Sequence, residues 1–389
     1  MKFNEWEERK KMSVSSFIAK LAGATALVGL SAFGVQAQTS GEPVKIGAIV
    51  SATGAGAGLG VPERNGLLLA EKDINAKGGI KGRPIKIIVE DDASNPDTAL
   101  SKANDLIFGQ KVQALLGPSL TASTVAVGGV THANKIPQIA FTGIGPAVER
   151  ERKCLAHVLP PQRLNATALL EYAKNIKAAK IGVLHDAGYG NVVMAELKPL
   201  ADKYGVKLVA VEKFEIGATD TTTQAAKVKA AQPDAVFIIA TSATPFRNVK
   251  QIQIAQPVIA AIGSSSYEYV NAMGPAADNI VIPEFVVGED PLPHQKAFVE
   301  LYRQTYNSTP KNYEAAAWDA AHIIAAALNK AGADATGEKL CEAMKAPYTG
   351  VLANYDFSAD DMTGIPISSF VFSKLVGGKY TRTPFRVAQ

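Results

Sequence analysis

Short apolar runs alternate along this chain with stretches of helical period, and that alternation is its plainest feature. Val44–Val50 reads as a buried β-strand, because it is mostly apolar and shows no 3.6-residue repeat. Ser51–Gly60 follows as a loop too rich in glycine for regular structure, and Pro62 suits the first position of a helix, where its missing N–H is not needed. That helix carries Leu67, Leu68, Ala70 and Ile74 and stops at Gly78-Gly79. A strand at Ile85–Val89 ends in Glu90-Asp91-Asp92. Asn95-Pro96 then caps and starts a helix to Phe108. Strands at Val112–Leu116 and Ile136–Phe141 complete a first series, which predicts a doubly wound, mostly parallel α/β lobe. In such units small ligands meet the loops at the carboxyl ends of the strands.

After Pro160-Pro161 the alternation restarts. A helix over Arg163–Ile176 precedes strands at Lys180–His185, Lys207–Val211, Ala235–Ala240 and Pro257–Ile262, with helices between them. This second series predicts a second α/β lobe. Asn279–Val287 reads as a strand-like bridge, followed by helices over His294–Tyr306, Tyr313–Lys330 and Glu338–Lys345. The tail, through Tyr355, Ile367–Phe372 and the Gly377-Gly378 turn, predicts antiparallel strands.

Residues 1–37 stand apart from both series. Lys10, Lys11 and Lys20 precede an apolar run from Leu21 to Val35, and Val35-Gln36-Ala37 offers the small residues of a leader cleavage site, so the mature, exported chain is expected to open at Gln38. Glu5, Glu7 and Glu8 are unusual in a leader and point to Met12 as an alternative start. Removing 1–37 lowers the net charge from +4 to +2, a surplus too mild to argue for nucleic acid. Cys154 and Cys341 are the only cysteines; they fit one disulfide in an oxidising compartment or two buried thiols.

Catalytic patterns are missing. The glycine run has Leu59 and Val61 where a dinucleotide fingerprint needs glycine, no G-x-S-x-G occurs, and the five histidines are scattered without metal-ligand spacing. An enzyme, a cofactor and a metal are therefore not expected. The hydroxyls are more informative. Ser51, Thr53, Ser119, Thr121, Ser123, Thr124 and Thr142 recur where three strands of the first lobe end. Hydroxyls and free N–H groups at helix starts suit an anion, and equally suit simple N-capping.

The order Lys45-Ile46-Gly47, Thr53-Gly54, Asn65-Gly66, then Asp73-Ile74-Asn75-Ala76-Lys77-Gly78-Gly79-Ile80-Lys81-Gly82-Arg83-Pro84, resembles the branched-chain amino-acid type of periplasmic substrate-binding protein. So do Glu90-Asp91-Asp92, Gly117-Pro118 and Tyr189-Gly190. The resemblance implies a type I binding protein that serves the membrane permease of an ABC importer as a monomer. Its two lobes would be 43–159 plus 284–347 and 160–283 plus 348–389, with crossings near Leu159-Pro160, Ile282-Pro283 and Pro347-Tyr348. Hinge closure around ligand is the motion such proteins exemplify.

The resemblance also implies a ligand carboxylate held by Thr121, Ala122 and the Thr142-Gly143 loop, with Tyr189 closing from the second lobe. Amino-acid binders hold the α-ammonium with a threonine and a glutamate; here Ile144 and Ser265 occupy those places, and Leu59 replaces an aromatic residue. A branch that takes up aromatic and related organic acids is similar in Leu59-Gly60-Val61-Pro62-Glu63 and Thr244-Pro245, which adds Phe246 and Tyr267 as ring-stacking surface. The expectation is a small organic, aromatic carboxylate. An amino-acid binder and a ligand-sensing module for a signalling partner are the alternatives.

Overall fold

The apolar runs become strands of two separate sheets. β1 (Val44–Val50), α1 (Ala57–Ala76), β2 (Ile85–Asp91), α2 (Pro96–Asn104), β3 (Leu115–Leu116), α3 (Thr121–Ala133), β4 (Gln138–Ala140), α4 (Pro146–Glu151) and β5 (Leu155–His157) alternate through the first part of the chain. Their strands pair in parallel in the order β2-β1-β3-β4-β5. Every β1 residue but Lys45 is buried, as a parallel strand covered on both faces requires. The computed structural model describes residues 39–387 except 360, 361 and 363, so the expected leader lies outside the described residues.

The second series gives α5 (Gln162–Asn175), β6 (Lys180–Asp186), α6 (Tyr189–Ala201), β7 (Lys207–Phe214), α7 (Thr222–Ala230), β8 (Ala235–Ile239), α8 (Thr244–Gln251), β9 (Val258–Ala260), α9 (Tyr267–Met273) and β10 (Val281–Glu284). Then come α10 (Lys296–Tyr306), α11 (Asn312–Ala331), α12 (Gly337–Met344), the hairpin β11 (Tyr348–Thr349) and β12 (Asn354–Tyr355), and β13 (Val371–Val376) with β14 (Lys379–Arg386). The second sheet runs β14-β13-β10-β9-β8-β6-β7; its last two strands in sequence are antiparallel, the rest parallel.

Three local expectations need correction. The first helix starts at Ala57, and Pro62 lies inside it. The glycines there pack rather than loosen: a Cβ on Gly60 would stand 2.2 Å from the Ser51 backbone, and one on Gly58 2.6 Å from the Tyr269 ring. Ile367–Ser369 is a helical turn, and the strand begins at Val371. The third crossing also lies later than Pro347-Tyr348. The N–H groups of Val351 and Leu352 each donate to the Asp319 carboxylate of α11 at 2.8 Å, and the Tyr355 hydroxyl at 3.0 Å, so the hairpin stays with α11. Since α11 lies along α1, the hairpin belongs on the first lobe.

Two long-range ties fix the arrangement. Cys154 and Cys341 form a disulfide that joins the first lobe's two chain segments. Closing so long a loop removes unfolded-state entropy worth about 5 kcal/mol in the chain-entropy account. At the second crossing Glu284 and Lys311 form a buried ion pair, with the ammonium 3.1 Å from the Tyr380 ring centroid. Asn312 Oδ1 accepts the N–H groups of Phe285 and Val286 at 2.9 Å each.

Candidate functional site

The first lobe's wall is built where β3 turns into α3. Leu120 occupies the cap position and has no side chain to cap with, and the first bond of the helix runs from Thr124 N–H to the Leu120 carbonyl at 2.9 Å. Thr121, Ala122 and Ser123 thus keep backbone N–H groups with no acceptor among the described residues. Thr121 Oγ1 lies 3.4 Å from Thr142 Oγ1, so the loops after β3 and β4 meet.

The Thr142–Gly145 loop is held from behind. His157 Nδ1 donates to the Thr142 carbonyl at 2.9 Å, Gln162 Nε2 donates to the Gly143 carbonyl at 3.1 Å, and Glu149 accepts the N–H groups of Ile144 and Gly145 at 2.8 and 3.0 Å. Burial pushes the Glu149 carboxyl up, but the adjoining His157 ring and the two N–H groups outweigh it and hold it below the usual carboxylate value.

The second lobe's wall is organised by Asp186 at the end of β6. Its carboxylate accepts N–H groups from Gly188, Gly190 and Thr241 at 3.0, 2.8 and 2.9 Å, which gathers the starts of two loops. Tyr189 opens α6 there, and its ring lies against Gly263, where a Cβ would stand 2.7 Å from the ring. Burial raises the Tyr189 phenol well above its ordinary value. Two hydroxyls span the lobes: Tyr313 donates to the Ile262 carbonyl at 2.9 Å, and Tyr269 to the Ala55 carbonyl at 3.2 Å.

Between these walls lies a cavity of about 210 Å³. Its lining includes no Asp, Glu, Lys, Arg or His. The Gly263 N–H faces the Tyr189 hydroxyl oxygen. Two lining groups are buried without a hydrogen-bond partner among the described residues: Ser123 Oγ and Asn165 Oδ1. Buried polar atoms are normally satisfied, so these invite one. Apolar side chains make up much of the remaining surface, from Leu59, Leu120, Phe141 and Ile262 inside to Ile216, 56% exposed, at the mouth. Besides Asp186, bonded to Gly188 and Thr241, an acid stands directly behind the first lobe's lining: Glu63 of α1 takes the Ser119 hydroxyl as its hydrogen-bond donor.

Of the residues singled out in the sequence, Leu59, Thr121, Ala122, Thr142 and Tyr189 line this cavity together. Gly143 backs Thr142 without lining it. Phe246, only 2% exposed on α8, lies in the core of the second lobe, and Ser265 is buried with its hydroxyl taking the Asn312 amide at 3.0 Å. Tyr267 hydrogen-bonds Glu289 and meets Tyr380 edge-on, outside the cavity. The hydroxyls of Ser51 and Thr53 are spent on Asp92 and Asp91 at 2.7 Å each, and Thr124 bonds back to Leu120 at 3.0 Å. Sequence reasoning did not reach Asn165, Ile216, Thr241, Gly263 or Tyr313, whose types and spacing carry no signal. Among the described residues, no group of three or more His, Cys, Asp or Glu is placed to hold a metal.

The whole-chain comparisons agree with this architecture. Residues 43–379 match the family described as periplasmic binding protein. The chain belongs to that family. An amino acid binding protein of Pseudomonas aeruginosa is 28% identical to it over 93% of this chain and 98% of its own. A leucine-, isoleucine-, valine-, threonine- and alanine-binding protein of the same organism is 24% identical over 88% of this chain and 94% of its own. Among solved structures, the branched-chain amino acid transporter substrate-binding protein of Streptococcus pneumoniae in complex with isoleucine superposes with a TM-score of 0.79, at 22% identity, over 88% of this chain and 100% of its own. This periplasmic binding protein thus has the type I fold, with two α/β lobes built on largely parallel sheets.

Proposed function

We propose that the protein is an exported, non-catalytic solute-binding protein that captures a small carboxylate with an apolar, preferentially aromatic body and passes it to an importer permease. It works as a monomer in the periplasm, after loss of residues 1–37. Thr121, Ala122, Ser123 and Thr142 take the carboxylate, and Leu59 and Tyr189 pack against the body.

The observation that carries this reading is the imbalance of the lining. Three free N–H groups, the helix dipole of α3 and the unpartnered Ser123 hydroxyl favour negative charge, while no acidic side chain lines the cavity to meet a cation. An ammonium buried there without a counter-charge costs several kcal/mol. The second reading, an amino acid as ligand, draws on the amino-acid-binding relatives from Pseudomonas aeruginosa and on Asn165 Oδ1, an unpartnered acceptor in the lining.

Thermal-shift titration with benzoate, hydrocinnamate, isocaproate, leucine and phenylalanine separates the two. The plain acids raise the Tm under the first reading. Stabilisation by the amino acids alone overturns it.

A further inference from the structure

Glu63 touches the first lobe's cavity wall from behind, as Asp186 touches the second lobe's through Gly188 and Thr241. Its side chain is fully buried on α1, one carboxyl oxygen takes the Ser119 hydroxyl, and the other has no partner among the described residues. Ser119 lines the cavity beside the α3 start, and its Oγ already accepts the Ser51 N–H at 2.9 Å. The charges that bear on Glu63 are the carboxyls of Asp92 beyond β2 and Glu314 on α11. The phenols of Tyr313 on α11 and Tyr269 on α9 also face it, and burial keeps both neutral, so none of these groups supplies positive charge. On its own helix, Arg64 points to the exposed side.

A carboxyl buried among acids is driven to its neutral form. In that form it carries its own proton, and the direction of the hydrogen bond to Ser119 reverses. Glu63 then donates to Ser119 Oγ, and the Ser119 proton is free to turn into the cavity. When Glu63 is ionised it claims the Ser119 proton and sets a negative charge behind the wall meant for an anion.

Building on the carboxylate reading above, we infer that Glu63 is a positioning residue that acts through Ser119, so that the protein binds its anionic ligand only with Glu63 protonated and takes up a proton on binding wherever the free protein has lost it. The balance is simple: the ligand anion and one proton join the ionised protein, and the complex holds neutral Glu63 and the intact anion. Burial, offset in part by the Ser119 hydrogen bond, pushes the Glu63 carboxyl up to about 8, which puts the uptake on the alkaline side.

The test is calorimetry of the full chain with hydrocinnamate and isocaproate, at about pH 6.5 and about pH 9, in buffers of different ionisation enthalpy. Uptake should be near zero at the lower pH and approach one proton at the higher, with Kd rising toward tenfold per pH unit above about 8. Glu63→Gln, whose amide donates to Ser119 at every pH, should abolish the uptake and flatten the profile. Glu63→Leu should weaken binding at the lower pH, and Gln should restore what Leu loses. Glu314→Gln, which removes the neighbouring acid, should leave the uptake in place. Binding without uptake at the higher pH, or the same profile in Glu63→Gln as in wild type, overturns the inference alone. If neither acid binds at either pH, the carboxylate reading falls and this inference with it.

Discussion

The two walls of the cleft are built from opposite materials. The first lobe presents backbone N–H groups and hydroxyls held in place by buried acids behind them, Glu149 under the Thr142 loop and Glu63 under Ser119. The second lobe presents a tyrosine, a glycine that makes room for it, and an isoleucine at the mouth, with its acid, Asp186, spent on organising its own loops. A polar wall reads the head of a ligand by direction. An apolar one rewards whatever area it can cover. Under the proposed carboxylate function the contrast implies a division of labour, in which the first lobe would select charge and the second the size of the body.

The comparison breaks most visibly at Ala122. Ala122→Asp places a carboxylate in the first turn of α3, which favours the helix by a few tenths of a kcal/mol while repelling an anion. Affinity for carboxylates should fall at least about 100-fold, near 3 kcal/mol, with Tm unchanged or slightly raised. Calorimetry and a thermal scan on one preparation check both halves. On the other wall, Tyr189→Ala should cost about 30-fold for aromatic acids and less for aliphatic ones, since it removes covering area rather than a head contact. Gly263→Ala, which crowds the Tyr189 ring, should shift affinity in the same sense.

Thr121→Ala sharpens the contrast at smaller scale. The loss should be about tenfold, one hydrogen bond to a charged group, and equal for every carboxylate whatever its body. A loss that grows with body size would assign Thr121 to the wrong wall.

The smallest effect is on stability. Burial raises the carboxyls of Glu63 to about 8, Glu314 to about 7 and Asp319 to about 6, all on the first lobe. The folded state therefore holds these protons more tightly than the unfolded chain. Their contribution is complete below the unfolded values, near pH 4, and is lost as pH rises through about 6 to 8. Glu314→Gln should recover of order 1 kcal/mol at about pH 8.5 and little at about pH 5, measured by urea unfolding.

The fold was legible because buried parallel strands announce themselves as apolar runs, and β1 and β8 need no partner information to be recognised. The exceptions all depend on distant contacts. Gly58 and Gly60 looked like a loop because their partners, Tyr269 and Ser51, are not neighbours along the local pattern. The hairpin reads as second-lobe chain in sequence, because its bonds to Asp319 join residues more than 30 positions apart. The cleft was legible only on its polar side, where hydroxyls recur at strand ends. Phe246 and Tyr267 have the chemistry of a ring-stacking surface, but nothing in their order reveals that α8 turns its ring into the core or that Glu289 takes the other's hydroxyl. The pairing of Cys154 with Cys341 across 187 residues is of the same kind.

The central claim is that the first lobe grips a carboxylate and has nothing for a cation. Isothermal calorimetry on two matched pairs tests it directly: isocaproate against leucine, and hydrocinnamate against phenylalanine, each pair differing only in the α-amino group. The account predicts tighter binding of the acid without the amino group in both pairs, by tenfold or more, about 1.4 kcal/mol. Tighter binding of leucine and phenylalanine, with no heat from the plain acids, would contradict it.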